Sequence, residues 1–349
     1  MAAHSLLLLP GDGIGPEIMA EVERLIEWLN AEGHADFGIE RGLVGGSAYD
    51  AHGVAVSEGD MQKALEQLTK ALELQPKSVA TLLVRAGVYF ELKEPEKSLE
   101  DLDTAIELQP TLAQPHLMKV EILASMNLID QAIAHLENLS KTFPGNQQVL
   151  ARLGAFYLIA NQPQKAIAIA TEVLTADPDD FDALRLRADA YLNIGKHKEA
   201  IVDFDKALAQ KEDDETILNN FAWVLSTSPD DDLRDGSKAV KLATKAAEAS
   251  GYETPHILST LAAAYAETGD FDNAKKWSQK AVDLAQKEVD SAKPEDDKAK
   301  LETDRDQLKK ELDSYHDRKP TRERQTGEGK PEASPATDRA AATKGKKDL

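Results

Sequence analysis

The sequence predicts a mainly α-helical protein in which antiparallel helix pairs stack into a solenoid. One ladder of large residues returns every 34 residues, at Tyr89, Leu123, Tyr157, Tyr191 and Leu225. Two more ladders share this step: Pro76, Pro110, Pro144 and Pro178, and Ala71, Ala105, Leu139, Val173 and Ala207. A fixed period between about 20 and 50 residues is the signature of stacked supersecondary units. The sequence therefore predicts a one-dimensional array.

The residue types in the ladders fit this packing. In such an array neither helix of a unit can bury its apolar face without a neighbouring unit. Small residues such as Ala188, Ala200 and Ala207 let helix axes approach closely, and large ones such as Tyr191 and Phe204 fill the gaps. The proline follows the second helix because it cannot continue one.

The unit 181–214 carries Ala188, Tyr191, Gly195, Ala200, Phe204 and Ala207, a pattern that resembles the tetratricopeptide repeat. The resemblance covers roughly residues 59–286. It implies first helices beginning near Val79, Ala113, Gln147, Phe181, Glu215 and Pro255. The fifth unit carries an insertion, Ser226–Gly236, between its helices.

Residues 1–58 do not follow the repeat pattern. Ser5–Leu9 predicts a strand, and the glycine-rich turn Gly11–Gly15 leads into a predicted helix, Pro16–Asn30. Pro16 suits the first position of that helix. Because Asp36–Val44 predicts a second strand, the segment is expected to form a short βαβ-like fragment.

Two stretches of this fragment, residues 7–17 (LLLPGDGIGPE) and residues 43–53 (LVGGSAYDAHG), resemble the opening of 3-isopropylmalate dehydrogenase. That resemblance implies an NAD-dependent oxidative decarboxylase that uses a divalent metal. In that family the catalytic and metal-binding residues lie further along the chain, where this sequence carries repeats. We therefore assign no catalytic, cofactor-binding or metal residue. We expect a truncated dehydrogenase-like fragment joined to the repeats, as a natural fusion, a mis-joined sequence or an engineered chimera.

The junction and the C-terminus complete the predicted organisation. Residues 59–74 resemble the second helix of a repeat, so the array of residues 59–286 begins with half a unit, Met61–Leu74. We expect residues 1–58 either to be weakly ordered or to fold by packing the apolar helix face Ile18, Val22, Leu25 and Leu29 on this orphan. Residues 287–317 predict a charged capping helix, mainly over Lys293–Tyr315. Residues 318–349 have almost no large apolar residues, which predicts a disordered tail.

The composition of the chain argues against several classes of function. A net charge of −21 argues against a nucleic-acid-binding role, which needs a basic surface. The chain has no cysteine, which excludes thiol chemistry. It has no apolar run of the roughly 20 residues that span a bilayer, and no pattern of a signal peptide. We therefore expect a cytoplasmic protein. The eight histidines are scattered, so no metal site is predicted.

The leading interpretation is a non-enzymatic scaffold that binds protein or peptide partners on the concave face lined by the first helices. No cofactor, membrane or small-molecule substrate is expected, and the alternative is NAD-dependent 3-isopropylmalate dehydrogenase of leucine biosynthesis. Arg185 and Asp189 stand at i,i+4, where they can also pair with each other. Trp223 is the sharpest anchor candidate, although it can also pack under the insertion. Counting by repeat position places these residues on the groove: Phe90, Glu121, Arg152, Arg185, Asp189, Asn219, Trp223 and His256.

Overall fold

The computed structural model describes residues 4–8, 15–34, 36–41, 57–293 and 297–323. The chain divides into two compact units, Met1–His135 and Leu136–Leu349. The first unit holds two strands and the helices α1 Gly15–Ala31, α2 Glu58–Leu74, α3 Val79–Glu91, α4 Pro95–Leu108 and α5 Ala113–Ser125. The boundary falls within α6, Ile129–Thr142.

All the secondary-structure elements among the described residues of the second unit are helices. It holds α7 Gln147–Ile159, α8 Pro163–Ala176, α9 Phe181–Asn193, α10 His197–Gln210, α11 Glu215–Thr227, α12 Gly236–Ala249, α13 Pro255–Glu267, α14 Phe271–Asp290 and α15 Lys298–His316. The predicted mainly α-helical array of helix pairs is therefore confirmed. First helices begin at Val79, Ala113, Gln147, Phe181, Glu215 and Pro255, the residues at which the sequence places them.

The N-terminal fragment has the predicted βαβ arrangement. Strands β1 (His4–Leu8) and β2 (Phe37–Arg41) are parallel, with His4 opposite Phe37 and Leu8 opposite Arg41, and α1 connects them. Asn30 fixes the return of the chain, because its side chain both donates to and accepts from the Phe37 backbone at 2.8 Å. The glycine-rich turn lies outside the described residues, except for Gly15.

The orphan helix α2 is covered differently from the prediction. Strand β1, rather than the apolar face of α1, contacts α2. On α1 the buried residue is Ile26, flanked by half-buried Val22 and Leu29, whereas Leu25 is 56% exposed. These three inner positions follow the i, i+4, i+7 spacing of one helix face. Leu25 lies off that face, and the side chain of Ile18 is not among those described.

The helix starts are set by a ladder of capping side chains. Ser78, Asn146, Asp180 and Asp214 precede first helices and each accepts a hydrogen bond from the backbone N–H three residues on. Such caps satisfy one of the N–H groups that the first turn leaves unpaired. Leu112 occupies the same position before α5 and provides no side-chain cap.

A second ladder closes the turn between the two helices in five of the six pairs. A residue with a left-handed backbone, φ between 54° and 82°, stands there at Lys93, Asn127, Asn161, Gly195 and Gly269. In the fourth pair, Gly195 N donates to Leu192 O at 3.0 Å and Lys196 N donates to Tyr191 O at 2.8 Å. These bonds form the Schellman motif, which ends the first helix and aims the chain into the second.

The fifth pair lacks this turn because Pro229 occupies the left-handed position. Proline has φ fixed near −65° and has no N–H to donate. The insertion replaces the turn with a short 3-10 helix, Asp231–Leu233. Asp235 N then donates to Leu225 O at 3.0 Å, which restores the hydrogen bond that the ladder carbonyl receives in the other pairs.

The core of the second unit follows the predicted alternation of small and large residues. Ala188, Ala200 and Ala207 are fully buried, as predicted for close helix packing. Phe204 is also fully buried and its ring stacks on that of Phe221, with centroids 5.7 Å apart. Aromatic pairs of this kind add to the free energy gained from burying apolar area.

The terminal helix α15 packs its apolar side inwards. Leu308, Leu312 and Tyr315 are buried, and Ser259 Oγ of α13 donates to Glu311 Oε2 at 2.5 Å. Burial, reinforced by the nearby Glu311 carboxylate, raises the pKa of Tyr315 well above its usual value.

Ordered contacts continue beyond the predicted start of the disordered tail at residue 318. Glu323 is buried, and its N–H donates to Thr227 O at 2.9 Å. The remainder of the predicted tail, residues 324–349, lies outside the described residues.

The ladder packing can be tested with two substitutions on α10. Phe204→Ala should lower the free energy of unfolding by about 3–5 kcal/mol, because it removes a fully buried ring. Val202→Ala, at a position 52% exposed on the same helix, should change it by less than about 0.5 kcal/mol. Urea denaturation measures both, and equal midpoints for the two variants would contradict this packing register.

Candidate functional site

The predicted groove residues all lie on first helices. In the first unit, Phe90 of α3 is half-buried and Glu121 of α5 is exposed. In the second unit, Arg152 of α7 is exposed, and Arg185 and Asp189 of α9 and His256 of α13 are half-buried. Asn219 and Trp223 of α11 are 2% and 4% exposed. The accessible predicted residues of the second unit therefore lie on α7, α9 and α13.

The burial of Trp223 and Asn219 differs from the prediction of groove-side anchors. Every residue of α11 from Ile217 to Thr227 is buried, including the apolar Phe221, Val224 and Leu225. A helix that is apolar on all sides packs inside the structure rather than at a surface. A partner cannot reach Trp223 in this conformation.

Polar side chains nevertheless connect α9 to α11. Asn220 Nδ2 donates to Asp189 Oδ1 at 2.9 Å, and Asn219 Nδ2 donates to Asn220 Oδ1 at 3.1 Å. Two predicted residues, Asp189 and Asn219, are thus joined by one that the sequence analysis missed. On the same helix α9, Arg185 lies 3.6 Å from Asp182 in an exposed ion pair.

A second missed feature is an arginine that links helices within a repeat. Arg187 Nε and Nη2 donate to the two carboxylate oxygens of Asp203 on α10, at 2.7 and 2.9 Å. Arg85 and Asp101 form the same bidentate pair three repeats earlier, with both distances 2.7 Å. The hydrogen bond to Asp203 raises the pKa of Arg187 against the opposing effect of burial. The shared Arg–Asp spacing of 16 residues could have revealed both pairs.

Cations also lie over the ladder tyrosines. Lys97 is 5.4 Å from the ring centroid of Tyr89, Lys165 is 4.9 Å from that of Tyr157, and Lys196 is 5.8 Å from that of Tyr191. The Tyr157 hydroxyl also donates to Glu137 Oε1 at 2.7 Å, and burial together with this bond raises the pKa of Tyr157 to about 12. Tyr157 is therefore a packing residue rather than a titrating group near neutral pH.

Comparison with known families follows the same division of the chain. Profiles described as tetratricopeptide repeat match residues 54–113, 123–189 and 157–219, and 255–288. The helical array belongs to the tetratricopeptide repeat family. The APC/C hetero-tetramer Cut9-Hcn1 shares this fold, with a TM-score of 0.50 and 14% identity, covering 70% of this chain and 46% of that one. A tetratricopeptide repeat protein from Parabacteroides merdae aligns over 74% of this chain and 93% of its own, at 13% identity and a TM-score of 0.47.

The N-terminus matches a different family. A profile of isocitrate/isopropylmalate dehydrogenases covers residues 5–74. Over 65 residues the chain is 72% identical to 3-isopropylmalate dehydrogenase 2 of Bradyrhizobium diazoefficiens and 65% identical to 3-isopropylmalate dehydrogenase of Agrobacterium fabrum. These matches cover 19% of this chain and 18% of each relative, so the chain spans less than a fifth of their length. The dehydrogenase profile and the first repeat profile overlap over residues 54–74, so all of α2 falls within both matches.

Neither a metal-ligand cluster nor a membrane-spanning helix occurs among the described residues. They contain no group of three or more histidine, aspartate or glutamate side chains placed to hold a metal ion. Within the same ranges, no helix combines the length and apolar character needed to cross a bilayer. The divalent metal that the dehydrogenase resemblance implies therefore has no ligand cluster in the described part of the chain.

Arg187 and Arg185 of α9 should differ in how much they contribute to the free energy of unfolding. Arg187→Ala should lower the free energy of unfolding by about 3 kcal/mol, because it leaves the buried Asp203 carboxylate without its partner. Arg185→Ala should lower it by less than about 1 kcal/mol, since its partner Asp182 is exposed. Chemical denaturation of the two variants tests this contrast, and equal losses would show that the Arg187–Asp203 pair has no special structural role.

Proposed function

We propose that this protein is a non-enzymatic interaction scaffold that binds a peptide or protein partner on the face of its first helices. Membership of the array in the tetratricopeptide repeat family supports this function class. The exposed polar residues of α7 and α9 support the location. The buried Asn219 and Trp223 are left out of the proposed contact surface, so the proposal rests on the other predicted residues.

Two arginines on this face can bind an acidic group in the partner. Helices α7 and α9 contact each other, and they carry Arg152 and Arg185. Arg152 is exposed, and the guanidinium of Arg185 pairs with a carboxylate that is itself exposed to solvent. Such a pair exchanges partners at low cost, because exposed ion pairs contribute only about 0–1 kcal/mol. Arginine also binds carboxylates in a bidentate geometry.

The proposal can be tested by capture with the full chain and two charge-matched variants. Arg152→Ala/Arg185→Ala removes two cations from the first helices, and Lys141→Ala/Lys206→Ala removes two exposed cations from second helices. We expect a captured protein to be lost with the first variant and kept with the second. Capture of the same proteins at equal yield by both variants would contradict a partner site on the first-helix face.

Dehydrogenase activity is the alternative that the N-terminal resemblance favours. The match ends at residue 74, after which the described chain continues as helix pairs. We infer that the remaining chain cannot supply the rest of a dehydrogenase active site.

The full chain should therefore give no NADH above the background of heat-denatured protein when it is incubated with 3-isopropylmalate, NAD and Mn²⁺. A complete 3-isopropylmalate dehydrogenase serves as the positive control. Turnover that scales with the concentration of the native chain would overturn the purely non-enzymatic proposal.

A further inference from the structure

The end of α11 presents backbone acceptors that its own turn cannot satisfy. In the fourth pair, Gly195 N donates to Leu192 O. One period later these positions are Pro229 and Ser226, and the proline has no N–H. The last carbonyls of a helix need partners from outside the helix. Ser226 O therefore has no donor in its own turn, and Thr227 O is a second terminal carbonyl of the same helix.

The segment Thr321–Glu323, here called the C-terminal strap, supplies these donors. Glu323 N donates to Thr227 O at 2.9 Å, and Arg322 Nη1 donates to Ser226 O at 3.4 Å. Thr321 Oγ1 donates to the hydroxyl of Tyr315, which anchors the strap to α15. The strap thus binds the edge of the array through its backbone as well as its side chains.

The arginine of the strap, Arg322, forms an ion pair with a glutamate of the array. Arg322 Nη2 lies 2.7 Å from Glu267 Oε2, at the end of α13. The other oxygen of that carboxylate accepts from Arg234 Nε of the insertion at 2.9 Å. Arg234 Nη1 also donates to Ser228 O at 2.7 Å, so the insertion holds Glu267 and the end of α11 together. The Glu267 carboxylate is therefore shared between the guanidinium of Arg234 and that of Arg322.

The glutamate of the strap is buried next to a histidine. Its carboxylate is 3% exposed, and Oε2 lies 2.7 Å from His197 Nε2 at the start of α10. His197 is equally buried, and its Nδ1 lies 2.9 Å from Ser228 Oγ, which fixes the ring. Three consecutive repeats thus contribute to one site: α10 gives His197, α11 gives its carbonyls, and α13 gives Glu267.

We propose that this edge is a peptide-binding site for an arginine followed by a glutamate, and that Arg322 and Glu323 occupy it in cis. The arginine is recognised by Glu267 and the Ser226 carbonyl, and the glutamate by His197 and the Thr227 carbonyl. A peptide with the same two residues gains the site by displacing the strap. The site uses none of the residues Arg152, Arg185 and Asp189 of α7 and α9, so the failure of one proposal leaves the other standing.

The strap is suited to exchange. Its arginine side chain is 34% exposed, and only the short stretch after His316 connects it to α15. A short connection holds a ligand at an effective concentration in the millimolar range. Occupancy in cis therefore does not require a high intrinsic affinity, and an external peptide competes mainly with this effective concentration.

The test uses the full chain with Arg322→Ala/Glu323→Ala, which empties the site. The probe is a fluorescent peptide with the sequence of residues 319–325, Lys-Pro-Thr-Arg-Glu-Arg-Gln. Anisotropy should show that the peptide binds this variant at least about tenfold more tightly than the wild type, since no internal ligand competes. A control peptide with Ala-Ala in place of Arg-Glu should not bind, and adding Glu267→Gln to the variant should abolish binding of the probe.

Equal affinity for both chains, equal affinity of both peptides, or no binding to the folded variant would overturn the proposal. If circular dichroism shows that the variant does not fold, the proposal is tested by hydrogen exchange on the wild-type chain instead. Saturating peptide should speed hydrogen exchange at the Glu323 amide and leave the Gly195 amide unchanged. Unaltered exchange at Glu323 with the peptide at millimolar concentration would show that the strap is a fixed part of the fold.

Discussion

The left-handed turn between the two helices of a pair is the constraint on which the rest of the array depends. One residue with positive φ ends the first helix, and two backbone hydrogen bonds aim the chain into the second. Because the turn recurs with the 34-residue period, the small residues of successive helices meet at the same level. Glycine adopts this conformation without steric cost, while Lys93 does so against its preference.

The array could be predicted well from the sequence because the residue patterns that specify it are local and repeat along the chain. The first-helix starts followed from the period, and all except that of α5 are supported by a capping side chain or a proline that can be read from the sequence. The inner face of α1 was harder, since Leu25 and Ile26 are equally apolar and only packing decides which is buried. The parallel β1–β2 pair was predicted, whereas the contact of β1 with α2 depends on elements that are distant in sequence.

The candidate site was less predictable, because repeat position does not determine exposure. Trp223 stands at a groove position, yet every residue of α11 from Ile217 to Thr227 is buried, Trp223 included. Asn220 and Arg187 were missed because their roles depend on partners in other helices, Asp189 and Asp203. Nothing in residues 321–323 marked them as a ligand of the array, because their composition is that of a solvated tail.

The proline in the fifth pair also has a consequence for the order of folding. The other pairs close their turns with bonds between residues a few positions apart, which form quickly. The end of α11 instead depends on donors such as Arg322, which lies 96 residues beyond Ser226. A ribosome releases those donors long after α11 has emerged, and domains begin to fold during synthesis. The end of α11 therefore obtains these two donors only after residues 322 and 323 have been synthesised.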